Sequence, residues 1–435
     1  MAGKFTALAL PSGEAFLLET HHNGRDVAIL VDSGNVAKDD PLVAAVRKAS
    51  PNRRRIDIAV CTHQDSDHAK GFSSFADAWY SEGGEIGEYW LPGRWAAAVP
   101  AILLDPGATQ ARVFLGALQI SSDLDPFLAN GEADHASLEE VVRKYALQNG
   151  RFEEPNFAEE SVLEAGAEQR NPDLAQSLGL TEGQIASLAA ILDDREPGWC
   201  EGAFNIFTGW PLWRDGVVSR AMILARDAIE TAKSIYAIAE SAAVYKIPIR
   251  WFDFGPFEVS KSASGGIRGL LEPVSSVELR RPPSRVSDIV LFLSLYLSRQ
   301  NVESLVFYRP ETAEEPGVLF TGDSRLAFGI GSPGQPFPMP TTVPRRQIIG
   351  TAPHHGSRVN DVVYGIIGSW IGQGNNAFYI RNGGHWKQSL GDYLKQPYRA
   401  CVKCKGRHPK PRRVSVKSVG GVWKTARLPK CVCRQ

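Results

Sequence analysis

The stretch Ile56-Asp57-Ile58-Ala59-Val60-Cys61-Thr62-His63-Gln64-Asp65-Ser66-Asp67-His68, with Gly71 just beyond it, decides how this chain is read. Residues 56–60 form an apolar run that reads as a strand and stops at polar side chains. A strand that stops in this way ahead of a glycine is where α/β folds place their chemistry. His63, Asp65 and Asp67 alternate along an extended loop, and His68 stands beside the expected start of a helix. Four oxygen or nitrogen donors within six residues can grip one or two divalent cations.

Two later stretches share this form. Leu319-Phe320-Thr321-Gly322-Asp323-Ser324 ends a short apolar run. Alone, such an ending is an ordinary turn; at a strand end, Asp323 could bridge two metals with its two carboxylate oxygens. Thr351-Ala352-Pro353-His354-His355-Gly356-Ser357 follows another apolar run. Adjacent imidazoles point to different sides, so one of His354 and His355 is expected on a metal. The other could orient substrate or donate a proton.

Working outward, residues 16–19 and 27–31 read as strands split by a hairpin signal at His22-Asn23-Gly24. The second strand ends at Asp32-Ser33-Gly34, and a helix is expected at 41–49. From about 100 to 245 the texture turns helical, with an Ala-rich periodic run at 217–245. Strands resume at 247–254, and others are expected at 304–308, 318–320, 347–349 and 377–380.

The six cysteines are unevenly placed, Cys61 and Cys200 being isolated. Cys401-Val402-Lys403-Cys404 and Cys431-Val432-Cys433 are separated by 26 residues. Four such thiolates suit a closed tetrahedral Zn²⁺ site, and His408 could replace one of them. Residues 401–435 carry 11 of the 48 Lys and Arg and none of the 48 Asp and Glu, so the rest of the chain has a net charge of −11. A basic finger pinned by metal fits phosphate contacts. Nucleic acid is therefore an expected partner, DNA favoured, although the same charge could dock on the acidic body.

At 435 residues, with 43% hydrophobic and 22% charged, the composition is that of a soluble globular protein. At roughly 100–200 residues per domain it has room for two to four units. No apolar run approaches the ~20 residues of a membrane span, and the N-terminus lacks a signal peptide's apolar region. No membrane association is expected, and a cytoplasmic location is the default.

The order of the three motifs, each after a strand, resembles the metallo-β-lactamase-fold hydrolases. Within them it resembles the ComEC-type hydrolase domain and its stand-alone bacterial relatives. The shared features are His-x-Asp-x-Asp-His at 63–68, Thr-Gly-Asp at 321–323 and Pro-His-His-Gly-Ser at 353–357, with Asp32-Ser33-Gly34 similar to the first motif of the superfamily. The segment Pro11-Ser12-Gly13-Glu14-Ala15 keeps only the outline of the Gly-Gln-Gly-Asp-Ala usual in this branch.

The resemblance covers about residues 1–100 and 245–395. It implies an αββα sandwich of two mixed sheets with metals at one edge. It assigns His63 and Asp65 to a first metal, and Asp67, His68 and His354 or His355 to a second. Asp323 would bridge, and Asp32 would support from behind. Asp65 stands where most of the superfamily has His, and a harder carboxylate ligand tilts preference from Zn²⁺ towards Mn²⁺ or Mg²⁺. The superfamily's middle His has no evident match; His135 is the sole histidine between His68 and Asp323. His385 resembles a late histidine near the rim.

The resulting division is a discontinuous hydrolase domain (1–100 and 245–397), a helical insertion (101–244) and a basic four-cysteine zinc-binding tail (398–435). The expected activity is metal-dependent hydrolysis by a nuclease or phosphodiesterase, with Asp67, Asp323, His354 and His355 at the reacting centre and a bridging water as nucleophile. Two active-site cations, Zn²⁺ or Mn²⁺, and one structural Zn²⁺ are implied. Stand-alone relatives occur in anti-phage gene clusters, so DNA processing or defence is the expected setting. The insertion could receive protein partners. A small-molecule hydrolase acting on a lactam, lactone or nucleotide, and a non-catalytic nucleic-acid-binding module, are the rival readings.

Overall fold

The computed structural model describes residues 3–35, 41–128, 141–143, 145–146, 216–280, 286–298, 301–329, 334–340, 347–372, 377–384, 388–404, 410–424, 431 and 433. His135, His385, His408 and Cys200, and the insertion between 147 and 215, lie outside them. The chain divides into two compact units.

The first unit comprises residues 1–92, 247–279 and 300–435. A nine-stranded sheet takes its strands from β1 (Lys4–Ala7), β2 (Phe16–His22), β3 (Arg25–Val31), β4 (Arg55–Val60), β5 (Glu85–Pro92), β6 (Ile249–Asp253), β8 (Val277–Leu279), β16 (Val414–Val419) and β17 (Val422–Lys424). Their order is β17-β16-β1-β2-β3-β4-β5-β6-β8. β2 and β3 form the hairpin expected around Asn23-Gly24, where both residues have positive φ, as a two-residue turn between twisted strands requires. From β3 to β6 the pairing is parallel.

A six-stranded sheet runs β15-β14-β13-β10-β9-β7. Its strands are β7 (Glu272–Pro273), β9 (Phe307–Arg309), β10 (Val318–Phe320), β13 (Ile348–Thr351), β14 (Ala377–Arg381) and β15 (Arg399–Cys401). A small hairpin pairs β11 (Ala327–Phe328) with β12 (Gln335–Pro336). Ahead of the stretch expected as a strand at 304–308, residues 301–303 form a 3-10 turn, and strand pairing begins only at Phe307.

Alternation along the strands explains how the sheets meet. Phe16, Leu18, Val27, Ile29, Ile58, Val60 and Trp90 of the larger sheet share one buried cluster with Phe307, Phe320, Ile349 and Ile380 of the smaller. One core therefore lies between the two sheets. Leu319, Ile348 and Tyr379 point the other way, into a second cluster with α10 (Val362–Ile371) and α8 (Phe254–Ser260). Tyr89, the neighbour of Trp90, turns outward and its ring meets Phe72 of α3 (Phe72–Ser81) at 5.8 Å between centroids. α1 (Pro41–Ala49) buries Leu42, Val43 and Val46 and lies against α3. α2 (Ser66–Ala69) is a single turn between β4 and α3. Helices thus flank the two sheets.

Residues 398–435, read from the sequence as a unit of their own, add β15 to the smaller sheet and β16 and β17 to the larger. β1 is held between β2 and β16.

The second unit comprises residues 93–246 and 280–299. Its helices include α4 (Gly93–Ala96), α5 (Val99–Leu104), α6 (Pro106–Leu128), α7 (Gly216–Val244) and α9 (Asp288–Leu297). α6, α7 and α9 pack on one another. At Gly116 of α6 the approach is close: a Cβ there would sit 2.3 Å from the Asp288 carbonyl oxygen. Among the described residues no helix is long and apolar enough to cross a membrane.

Candidate metal centre

Five segments of the first unit end at one place. Parallel strands β3 and β4 deliver Asp32 and His63 at their carboxyl ends; β10, β13 and β14 deliver Asp323, His354-His355 and Asn382. The turn before β2 adds Glu14. Carboxyl ends of parallel strands place polar loops in a shared crevice. Here that geometry brings together residues from opposite ends of the sequence, such as Glu14 and His355.

Asp323 is buried, and its two oxygens face different neighbours. Oδ1 lies 3.3 Å from His68 Nε2, and Oδ2 lies 3.7 Å from both His63 Nε2 and His354 Nε2. The backbone holds it there: its N–H donates to Ser304 Oγ at 3.1 Å, and Asn360 Nδ2 donates to its carbonyl at 2.9 Å. Gly322 precedes it at φ +48°, and a Cβ at 322 would come within 2.4 Å of Ser304 Oγ. The Gly of Thr-Gly-Asp is thus required by both conformation and space.

The imidazoles are oriented from behind. Thr62 Oγ1 donates to Asp32, so it accepts from His63 Nδ1 at 3.0 Å. His63 Nε2 is then the bare nitrogen, 3.6 Å from Asp65 Oδ2. His68 Nδ1 donates to Asp32 Oδ2 at 2.8 Å, which turns its Nε2 towards Asp323. Asp32 keeps a left-handed backbone, φ +60°, while also accepting from the Thr62 N–H. Carboxylates behind imidazoles in this way set the tautomer of metal-binding histidines.

His355 is wedged between acids. Its Nε2 is 2.9 Å from Asp67 Oδ2, and its Nδ1 is 2.9 Å from Glu14 Oε2 and 3.0 Å from the Asn382 carbonyl. His354 is the more open of the pair, its side chain 30% exposed against 5% for His355. Both residues have left-handed backbones, φ 46° and 52°, which costs on the order of 1–3 kcal/mol each. Bonds to their carbonyls offset this: Gln388 Nε2 donates to His354 O and Arg381 Nε to His355 O, each at 2.7 Å.

Charge is concentrated here, with His68, Asp323 and His355 buried and Asp65 and Asp67 partly open to solvent. Burial by itself would lower the pKa of His68 and His355. Asp323, with Asp32 and Glu14 for His68 and Glu14 for His355, outweighs that effect; His68 rises well above its usual range and His355 to about 10. Burial would raise Asp65, Asp67 and Asp323, but the neighbouring imidazoles hold all three below the carboxylate range. Burial raises Glu14 despite His355 and His68.

Two donor sets can therefore hold a metal. Glu14, His68, Asp323 and His355 offer atoms within 4.8 Å of one another, and so do His63, Asp65 and Asp323. His63 Nε2, His68 Nε2 and Asp323 Oδ1 are buried without a hydrogen bond of good geometry, His63 on the Oδ2 side of Asp323 and His68 on the Oδ1 side. Orphaned buried polar atoms of this kind are costly unless something binds them. With neutral imidazoles the five carboxylates leave an excess of negative charge that divalent cations would offset. Glu14 also meets the Nδ1 side of both His68 and His355, at 3.6 and 2.9 Å, so it can orient them. Asp67 lies on the Nε2 side of His355, where a cation would sit. From the sequence alone Glu14 has no assigned role; its one signal is an acid in a glycine turn before a strand.

The four tail cysteines are buried together. Cys401 Sγ lies 3.4 Å from Cys431 and 3.8 Å from Cys433, and Cys433 lies 3.6 Å from Cys404. Thiolates at about 2.3 Å from a central metal form a tetrahedron with edges of about 3.8 Å, so this group too could hold a cation. No family model matches the chain, and no curated protein matches it.

Proposed function

We propose that this protein is a metal-dependent hydrolase of the metallo-β-lactamase fold, of the ComEC-like branch, that cleaves phosphodiester bonds in nucleic acid, DNA favoured. The observation that carries this reading is Asp323, whose two carboxylate oxygens face two separate donor sets. The layer order supports the αββα reading: helices flank two sheets, and the donors stand at strand carboxyl ends. His63, Asp65 and Asp323 would hold one cation, and Asp67, His68, His355 and Asp323 the other, Mn²⁺ or Zn²⁺. Bound there, divalent cations would supply the Lewis acidity that brings water's pKa towards ~7 and offsets charge on phosphate oxygens.

The chain's own residues do the rest. Asp32 and Glu14 fix the imidazoles. His354, the most exposed of the four histidines, is placed to give a proton to the leaving oxygen. In the tail, four thiolates favour a structural Zn²⁺.

A pair of lysines supports the choice of substrate. Lys417 and Lys424 are exposed and stand directly opposite each other across β16 and β17, while Lys4, on the other side of Lys417, is paired with Glu19. Like charges directly opposite are destabilising, and a phosphate backbone would relieve them. Lys410, Arg412 and Arg413 are exposed nearby in sequence.

The test is incubation of the full chain with single- and double-stranded DNA and RNA plus Mn²⁺, beside Asp323→Asn. Cleavage by the wild type and a fall of roughly 10²–10³-fold or more in the variant is expected. Equal cleavage by both, or none by the wild type with any divalent ion, overturns the reading.

A further inference from the structure

β14 joins the two candidate metal sites. Its last residue, Arg381, is 3% exposed and donates in two directions. Nε donates to the His355 carbonyl at 2.7 Å; Nη1 donates to the Lys403 carbonyl at 3.2 Å, inside the Cys401–Cys404 loop. The main chain repeats the link. Val402 N–H donates to the Arg381 carbonyl at 2.9 Å, and Arg381 pairs with Cys401 across β14 and β15.

A second path runs through Tyr393, which is fully buried. Its hydroxyl donates to the Ala400 carbonyl at 2.6 Å, beside Cys401. Its ring lies against Gly356, where a Cβ would approach it to 3.1 Å. Gly356 ends the left-handed His354-His355 turn. That turn is strained, so it keeps its shape only while its surroundings over-determine it. Two of those surroundings, Arg381 and Tyr393, are themselves anchored on the cysteine loop.

We propose that the four-cysteine site clamps the hydrolytic centre through Arg381, a positioning residue that fixes the His354-His355 turn. The clamp rests on the hydrolytic reading given above. A metal in the tail holds the Cys401–Cys404 loop, the loop holds the Arg381 guanidinium, and the guanidinium holds the His355 carbonyl. The imidazole of His355 is presented to Asp67 and Asp323 as a result. Removing the guanidinium frees the turn to relax without touching a ligand in either site.

The experiment uses the full chain carrying one equivalent of Zn²⁺, which thiolates hold in preference to nitrogen and oxygen donors. Mn²⁺ is then titrated in, free Mn²⁺ being counted by its electron paramagnetic resonance signal. Arg381→Ala is expected to keep its Zn²⁺, to bind Mn²⁺ about 10- to 100-fold more weakly, and to change the line shape of bound Mn²⁺. Cys404→Ser is expected to lose Zn²⁺ and to weaken Mn²⁺ to a similar degree. Adding Arg381→Ala to it should weaken Mn²⁺ no further.

Mn²⁺ affinity and line shape unchanged in Arg381→Ala overturn the clamp while leaving the hydrolytic reading intact. Fully additive losses in the double variant overturn it too. If Cys404→Ser does not fold, Arg381→Ala decides alone. Equal Mn²⁺ binding by wild type and Asp323→Asn removes the hydrolytic reading and the clamp with it.

Discussion

Asp32 shows how much one side chain organises. It receives the Thr62 N–H, the Thr62 hydroxyl and His68 Nδ1, and it does so from a left-handed backbone. Asn tolerates that conformation, so Asp32→Asn should fold. It lacks the charge that steadies His68, and metal affinity should fall about 10- to 100-fold, as read by Mn²⁺ titration.

Protonation makes a second prediction at this scale. His355 has a folded pKa of about 10 against 6.5, and His68 is also raised. The contribution of His355 to stability is complete below pH 6.5 and is lost as pH climbs through about 10; that of His68 is likewise complete below 6.5 and is lost at higher pH. Asp65, Asp67 and Asp323 are lowered from 3.8, so theirs is complete above 3.8 and is lost as pH falls below it. Metal-free protein should therefore have its highest Tm between pH 3.8 and 6.5, measured in chelator across pH. Metal must displace the imidazole protons. Its affinity should rise with pH, and titrations in two buffers of different ionisation enthalpy should register the protons released.

Single elements carry predictions of their own. Gly116→Val in α6 would push a side chain into the Asp288 carbonyl of α9. Overpacking of this kind costs about 1–3 kcal/mol, which urea unfolding would register. Trp423 of β17 is buried in the core between the sheets, and its Nε1 donates to the Gly317 carbonyl. Trp423→Ala should cost about 3–5 kcal/mol. Reversing Lys417 and Lys424 to Glu should weaken DNA binding and make it less sensitive to salt, by about one unit of slope for each phosphate no longer engaged.

Legibility followed how local the signals are. β3, β4, β6, β10, β13 and β14 are short apolar runs that end at polar motifs, and α1 and α7 repeat at helical spacing; all could be read directly. β1 and β16 could not, because their strand character comes from pairing with each other across more than 400 residues. The donors at 63–68, 323 and 354–355 were visible as residue types at strand ends. Glu14 and Arg381 were not assigned, since an isolated acid or arginine acquires meaning only from what folds against it.

For the molecule as a whole, the tail is continuous with both sheets. Removing residues 399–435 would delete β15, β16 and β17, uncover one side of β1 and take away the anchor that Arg381 finds in the cysteine loop. Such a truncation should yield insoluble or molten protein, seen as lost near-ultraviolet circular dichroism, and could not report on what the tail itself binds. Point substitutions on the exposed lysines are the informative route.

The pairing of Lys4–Ala7 with Val414–Val419 also sets a timetable for biosynthesis. A ribosome adding about 5–20 residues per second needs on the order of 20–80 s to travel from one partner to the other. Throughout that interval the first strand has an unpaired flank, and the last two cysteines, Cys431 and Cys433, have not yet been made. Newly emerging polypeptide would then depend on chaperones to shield that flank, and would acquire its ions only after release.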